Sequence, residues 1–460
     1  MTGTLGITHS ACPVCRRLVP ARVEVRDSRV RFRKLCPEHG ESESAVHGDA
    51  AGYLAAQRYV KPAWVPRESA GYAAAGCPGG CGLCPRHEQH LCMPIVEITG
   101  RCDLACPVCL VDAGAGPDLT LAEFRAILDG LVRAEGQVDV LNLSGGEPLR
   151  HPEFLALLDA AVSRPEVVRV SVSTNGLRLL EEPKLLAELK ARNAVVSLQF
   201  DGFREGIYQR LRGRPLLGRK LELLDALAAA DLTASLTMTL AAGVNDDQFP
   251  GMLECLFSRP NLVSLMVQPL ALEGRARASF AGVERLGTPE AVHLLGAAGH
   301  PAVRAEDFVP LPCSHPLCFS LAFYLGLKTG GFVPVNRLVD AATAMDAMAN
   351  RTVFGLEAGE YARLRELVYE LWSGPAGSIP DGPAVIDTLR EIMRRMSCSC
   401  FDPRKAFTLA ERHVKSIFIH AFQDAGTFDL ARLRRCCNAY PQRDGRLIPA
   451  CARNVLGIGR

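Results

Sequence analysis

The stretch Glu97-Ile-Thr-Gly-Arg-Cys102-Asp-Leu-Ala-Cys106-Pro-Val-Cys109 decides the reading of this chain. A short apolar run, Met93 to Thr99, ends in a loop carrying three cysteines at C-x3-C-x2-C spacing. Cysteine thiolates hold iron–sulfur clusters, and a [4Fe–4S] cube ordinarily takes four of them. Three in one loop hold three irons and leave the fourth open, the mark of a metal site that does chemistry. An upstream rival, Cys77-Pro-Gly-Gly-Cys81-Gly-Leu-Cys84, has the same spacing. No strand-like run leads into it, and glycine and proline on both sides make it a plain loop.

Outward from Met93 to about Leu270, strand and helix patterns alternate. Strand-like runs fall at Met93–Thr99, Val138–Leu143, Val167–Ser173, Ala194–Phe200, Thr233–Leu240 and Leu262–Val267. Between the first two, Thr120 and Glu123 form a capping box, and Leu121, Phe124, Ile127, Leu128 and Leu131 share one helical face. Phe154, Leu155, Leu158 and Val162, then Leu221, Leu224 and Leu227, read as the buried stripes of later helices. The fold class is therefore α/β. Six such units predict a partial (β/α)6 TIM-type barrel with its functional residues at the carboxyl ends of the strands. Those ends carry Ser144-Gly145-Gly146-Glu147-Pro148, Ser173-Thr174-Asn175-Gly176 and Gln199-Phe200-Asp201-Gly202. Glycines let a backbone approach closely, and a carboxylate accepts bonds from an ammonium group. Gly145 lies 36 residues after Cys109 but 61 after Cys84, and it ends the next strand. Position favours Cys102, Cys106 and Cys109 as the catalytic set.

With 460 residues, 48% hydrophobic and 22% charged, the chain has ample core for several domains. Its net charge of +2 gives no basic footprint, so no nucleic-acid partner is expected. Neither a secretory leader nor a long apolar span is present, which predicts a cytoplasmic protein. Eighteen cysteines in tight sets then read as metal ligands rather than disulfides. Cys12, Cys15, Cys36 and His39 make two knuckles, a zinc-ribbon or rubredoxin-like site for one mononuclear Zn or Fe. Cys77, Cys81 and Cys84, with Cys92 or a distant cysteine as fourth ligand, suit an auxiliary cluster. Cys313, Cys318, Cys436 and Cys451 suit another, with Cys398, Cys400 and Cys437 as competing ligands. Cys255 reads as a buried small hydrophobe, and His315, His413 and His420 as interior histidines. The expected domains are a metal module over 1–45, a linker with the auxiliary loop over 46–92, the barrel over 93–285, and a mostly helical extension over 286–460.

The two motifs together resemble the radical S-adenosylmethionine (SAM) superfamily. Almost the whole chain is similar to one branch of it, the archaeal tetraether lipid synthases and the class D methylases of the dihydro-hydroxymethylpterin dimethyltransferase type. The residues that carry this likeness are Cys12–His39, Gly76–His87, Cys102–Cys109, Leu198–Gly202 with Leu211-Arg212-Gly213, Gly243–Asp246, Gln268-Pro269, Gly274-Arg275, Pro312–His315 and Asp444–Pro449. The resemblance implies a [4Fe–4S] cluster that reduces SAM to methionine and a 5′-deoxyadenosyl radical, with two auxiliary [4Fe–4S] clusters handling further electrons. That radical takes hydrogen from an unactivated C–H bond, and the substrate radical forms a C–C bond, by alkyl-chain coupling or by methylation. Gly145, Gly146 and Glu147 would hold the methionine amine, and Ser173, Asn175 and Asp201 its carboxylate or the ribose. Implied partners are a lipid or small-molecule substrate and an electron donor of the ferredoxin or flavodoxin kind, with room for peripheral membrane contact. A natural-product or RNA-modifying enzyme and a non-catalytic cluster carrier are the competing readings. A carrier needs no Gly-Gly-Glu edge.

Overall fold

The computed structural model describes residues 3–59, 65–69, 71, 76–80, 82–111, 113–114, 116–311, 313–339, 366, 369–370, 372–373, 381–396 and 403–459. Cys81, Cys398 and Cys400 lie outside the described residues.

Alternation shapes the first module. In β2 (Leu18–Arg26) and β3 (Arg29–Cys36) every second residue, from Val19 through Val25 and from Val30 through Cys36, is buried, while the other register is exposed but for a half-buried Leu18, Glu24 and Arg31. Period-two patterning of this kind builds a sheet with one packed face. With β1 (Gly3–Ala11) and β4 (Gly40–His47) these strands form an antiparallel meander in the order β1-β2-β3-β4.

The second sheet follows the predicted strands closely. They are β5 (Ile95–Thr99), β6 (Val138–Gly145), β7 (Val167–Thr174), β8 (Val195–Gln199), β9 (Ala234–Leu240) and β10 (Leu262–Pro269), adjacent in sequence order and all parallel. Along β9, Ala234, Leu236, Met238 and Leu240 are buried beneath the helices, while Ser235 and Thr237 face the barrel interior. The capping box at Thr120 and Glu123 is present and opens the helix Leu121–Glu135, whose Phe124, Ile127, Leu128 and Leu131 are buried. On the helix Leu217–Ala229 the packed stripe is Leu223, Leu224 and Leu227, whereas Leu221 is exposed.

The extension adds strands to the helices expected for 286–460. After β11 (Val309–Pro310) come β12 (Phe319–Gly326) and β13 (Phe332–Pro334), and β14 (Val414–His420) pairs parallel to β10. β12 pairs antiparallel to β14, so the sheet continues past its sixth strand. The edge of β10 otherwise leaves a row of unpaired N–H and C=O groups, and an apolar strand satisfies them. Helices Gly382–Met396 and Pro403–His413 flank this addition. A short pair, β15 (Ala439–Pro441) and β16 (Leu447–Pro449), follows. Among the described residues no helix is long and apolar enough to cross a membrane.

Candidate active site and metal centres

β5 ends at Thr99, and the cysteine loop is fastened at once to the end of β6. Gly146 N donates to Thr99 O at 2.8 Å and Glu147 N donates to Arg101 O at 2.7 Å. A Cβ on Gly145 would collide with Thr99 O, and one on Gly146 with Arg101 O. Gly145 also has φ +126°, a backbone region that favours glycine. The glycines therefore serve the approach of one loop to another. Cys102, Cys106 and Cys109 open onto a cavity of about 870 Å³ that Gly146, Glu147, Ser173 and Asn175 also line. Burial pushes the Cys102 thiol up to about 11. It raises Cys106 too, with the Arg212 guanidinium opposing. Neutral buried thiols beside one another become stable thiolates only with a cation among them, which is the condition a cluster meets.

Glu147 is fully buried, and its carboxylate accepts from Thr174 Oγ1 at 2.6 Å, Asn175 N at 2.7 Å and Leu149 N at 3.1 Å. Burial nevertheless pushes it up to about 7 against these donors. A carboxylate has about four acceptor positions, so one direction is left for a ligand on the cavity side. Ser173 Oγ donates to Asn142 Oδ1 at 2.9 Å, and the Asn175 side chain bridges Asp103 and Leu177 N. Asp201 corrects the expectation of a direct ligand contact. It has no exposed surface and is not part of the cavity wall. Both its oxygens hold Arg212 at 2.7 Å, and it also accepts from Thr239 N and Gln199. Arg212 faces the cavity with its charge close to Cys106. Asp201 thus orients a cation beside the cysteine loop.

Lys220 is the second functional candidate that pattern reading missed. Its Nζ donates to Asn175 O at 2.6 Å, Gln199 O at 2.7 Å and Gln199 Oε1 at 2.9 Å, tying the ends of β7 and β8 together. Burial pushes this ammonium down to about 7. Its place in an apolar helical stripe hid it. A lysine at a core position was the available signal.

The remaining cysteines sort differently from their order in the chain. Cys12, Cys15, Cys36 and His39 converge, with all four ligand atoms within 4.8 Å of one another. Cys15 Sγ and Cys36 Sγ are 3.9 Å apart, and Cys36 Sγ lies 3.5 Å from His39 Nδ1. Tetrahedral Zn²⁺ with Zn–S bonds of ~2.3 Å sets sulfurs about 3.8 Å apart, so the donor set fits. Burial raises the Cys12 thiol, but backbone N–H groups of Cys15 and Val14 bring it down to about 7.

Cys92, by contrast, lies with Cys313 and Cys437, all three buried and within 4.8 Å of one another. This corrects both its pairing with the 77–84 loop and the set of Cys313, Cys318, Cys436 and Cys451. Cys92 N donates to Cys437 O at 2.9 Å, so the approach to β5 is laid against a distant segment. Cys318, Cys436 and Cys451 line an adjoining small cleft that Cys437 also borders, where Arg432 reaches Cys318 Sγ at 3.4 Å. Burial, and after it the neighbouring Cys84, raises the Cys77 thiol. Cys255 is buried in its helix, as expected. His315 and His420 are interior, both pushed down to about 3 by burial, and His420 stacks on Phe319 at 3.8 Å.

Below the cysteine loop the cavity runs down the barrel, lined by the hydroxyls of Ser171, Ser197, Ser235, Ser264 and Ser416 and by the apolar Phe323, Phe418, Leu325 and Leu389 of the extension. Arg169 and Glu411, paired at 2.7 Å, also line the cavity. Cys92 and Cys437 line this same cavity.

Comparison with known proteins agrees with this arrangement. Residues 96–256 match the radical SAM superfamily model, and residues 4–48 match the HMPTM N-terminal zinc ribbon domain. The chain is 25% identical to 7,8-dihydro-6-hydroxymethylpterin dimethyltransferase of Methanocaldococcus jannaschii, over 98% of this chain and 93% of that one. It is 30% identical to GTP 3′,8-cyclase of Paenarthrobacter nicotinovorans, over 39% of this chain and 52% of that one. Among solved structures, a radical SAM methyltransferase from Sphaerobacter thermophilus aligns with a TM-score of 0.36 and 13% identity, over 65% of this chain and 75% of that one. A triad loop that follows the first strand, a Gly-Gly-Glu edge beside it and both matching models lead to one conclusion: residues 96–256 are a radical SAM enzyme domain behind an N-terminal zinc ribbon over 4–48, and such a domain implies a [4Fe–4S] cluster and SAM.

Proposed function

We propose that this enzyme forms a carbon–carbon bond by methylating a compact, polar, pterin-like heterocycle, with Cys102, Cys106 and Cys109 holding the catalytic cluster. The observation that carries the reading is the near end-to-end match to a dimethyltransferase, ribbon and extension included. When bound, the cluster and SAM supply a 5′-deoxyadenosyl radical able to take hydrogen from an unactivated carbon. The chain's own residues bind and orient. The remaining acceptor position of Glu147 suits the methionine ammonium, and Gly146, Ser173 and Asn175 complete that end of the cavity. Arg212, held by Asp201, balances negative charge near Cys106. The serines that line the cavity offer hydrogen bonds to a heterocycle, and a volume of about 870 Å³ suits a cofactor with one compact substrate.

Cys92, Cys313 and Cys437 belong in this proposal as ligands of an auxiliary cluster, because two of them share the substrate's cavity. An electron left on the product side then has an acceptor close by. The 77–84 loop would hold the other auxiliary cluster with Cys436 or Cys451, and a ferredoxin or flavodoxin would supply reducing electrons. The second reading is alkyl-chain coupling, which the apolar side chains of Phe323, Leu325, Leu389 and Phe418 in the same cavity favour.

Anaerobically reconstituted protein incubated with SAM, dithionite and 7,8-dihydro-6-hydroxymethylpterin tests this. Pterin-dependent 5′-deoxyadenosine with a mass gain of one or two methyl groups is the expected result. SAM cleavage that ignores the pterin and instead follows isoprenoid lipid, with loss of hydrogens, would replace the first reading by the second.

A further inference from the structure

The N-terminal ribbon meets the barrel at a telling place. Its first knuckle ends in Arg16, directly after Cys15, with φ +64°, an uncommon conformation for a long side chain. That conformation is held by Cys12, whose carbonyl accepts from Arg16 N at 3.1 Å and whose N donates to Arg17 O at 2.9 Å. From there the Arg16 guanidinium makes a two-pronged pair with Glu273, at 2.5 and 2.8 Å. Glu273 is buried and sits in the turn after β10.

That turn supports the catalytic loop from behind. Arg275 N donates to Cys109 O at 3.0 Å, and Arg275 Nη2 donates to Ala113 O at 2.6 Å. A Cβ on Gly274 would collide with Cys109 O, so the turn lies flush against the last cysteine. Val108, between Cys106 and Cys109, packs with Leu272, Ala276 and Phe280 of the same segment. Glu273 Oε1 also accepts from Ala425 N at 2.7 Å. The ribbon is also fastened without Arg16: Lys34 Nζ donates to Ala425 O and Gly426 O, Ser44 Oγ donates to Gly426 O, Thr8 Oγ1 donates to Asp429, and Pro13 O accepts from Arg277 Nη2. Docking alone does not need Arg16.

We infer that the ribbon's metal is a positioning element for the radical cluster, acting through Cys15–Arg16, Glu273 and the Gly274–Arg275 turn on the backbone of Cys109. The metal orders the knuckle, the knuckle sets the Arg16 rotamer, and Glu273 passes that order to the turn. Bidentate arginine–carboxylate pairs fix orientation as well as distance, which makes this one suited to the task. Arg16 and Glu273 are positioning residues here and touch neither SAM nor substrate. The inference rests on the assignment of the catalytic cluster to Cys102, Cys106 and Cys109.

The test compares Arg16→Met, Glu273→Gln and Cys15→Ser, alone and combined, in the full reconstituted chain. The readouts are zinc and iron content, the electron paramagnetic resonance signal of the reduced cluster with and without SAM, and the KM for SAM apart from kcat. Losing a buried charge-assisted pair predicts about a ten-fold loss in SAM cleavage for Glu273→Gln, with an altered SAM-induced spectral change and with zinc retained. Cys15→Ser is expected to lose zinc and to show the same spectral change. In the Glu273→Gln background it should add little further loss. Additive losses, or Glu273→Gln and Arg16→Met proteins with unchanged spectrum and SAM KM, overturn the link. If Arg16→Met sheds zinc, Glu273→Gln on the barrel side still decides. A wild-type protein that fails to cleave SAM would instead remove the cluster assignment beneath it.

Discussion

Cys102–Cys109 and Cys77–Cys84 share one spacing and sit in opposite surroundings. The first follows a parallel strand, opens on the large cavity and is bound through backbone hydrogen bonds to the Gly146–Glu147 edge. Among the described residues no strand leads into the second. Its described part packs against the C-terminal region, with Gly82 against Arg446, Glu88 N bonded to Arg434 O and His87 bonded to Cys436 O. Spacing fixes what a cysteine loop can ligate. Its place relative to a strand end decides whether a second ligand can reach the open iron. A β/α scaffold presents its strand ends to one shared cavity, which is why the first loop has Glu147 as a neighbour and the second does not.

That contrast can be broken outright. Replacing Cys102, Cys106 and Cys109 together with Ala is expected to reduce 5′-deoxyadenosine formation under dithionite to background while other iron–sulfur absorbance persists. Undiminished formation would reverse the roles of the two loops. Cys77→Ala with Cys84→Ala is the complementary variant. It should lose about one cluster's worth of iron and most product, yet still cleave SAM, as a product-to-deoxyadenosine ratio would show.

A finer test concerns Glu147, the neighbour that distinguishes the loops. Its carboxyl is held up at about 7 by burial, so below that pH the free protein carries it protonated and poorly suited to an ammonium group. SAM affinity should therefore strengthen as pH rises from 6 to 8, by up to about ten-fold per pH unit on the acidic side. Glu147→Gln should bind weakly and without that slope in calorimetric titration. Stability of the free fold runs the other way. Between its ordinary 4.5 and about 7 the unfolded chain has released this proton and the folded chain has not, so stability falls as pH rises. The smallest effect belongs to a cysteine outside every set. Cys255→Ala should leave iron content unchanged and cost about 1 kcal/mol in chemical denaturation.

Local sequence was enough for the features whose parts lie close together in the chain. The six parallel strands, the Thr120 capping box, the two knuckles of the ribbon and the triad with its Gly-Gly-Glu edge were legible because period and spacing restrict nearby residues to one face or one loop. Leu221 was misread because two adjacent helical faces differ by only a residue. Lys220 was hidden because a lysine in an apolar stripe looks like a solvated break until its partners are known, and Arg212 was named in a motif without its partner Asp201.

The sequence by itself determined that this chain carries a triad at a strand end, a four-ligand ribbon and enough further cysteines for more metal. Only the tertiary structure decided which distant cysteines meet. Cys92, Cys313 and Cys437 are brought together because β12 and β14 extend the barrel sheet and carry the C-terminal segment back to the approach of β5. Across hundreds of residues, spacing no longer constrains distance, and chain topology does.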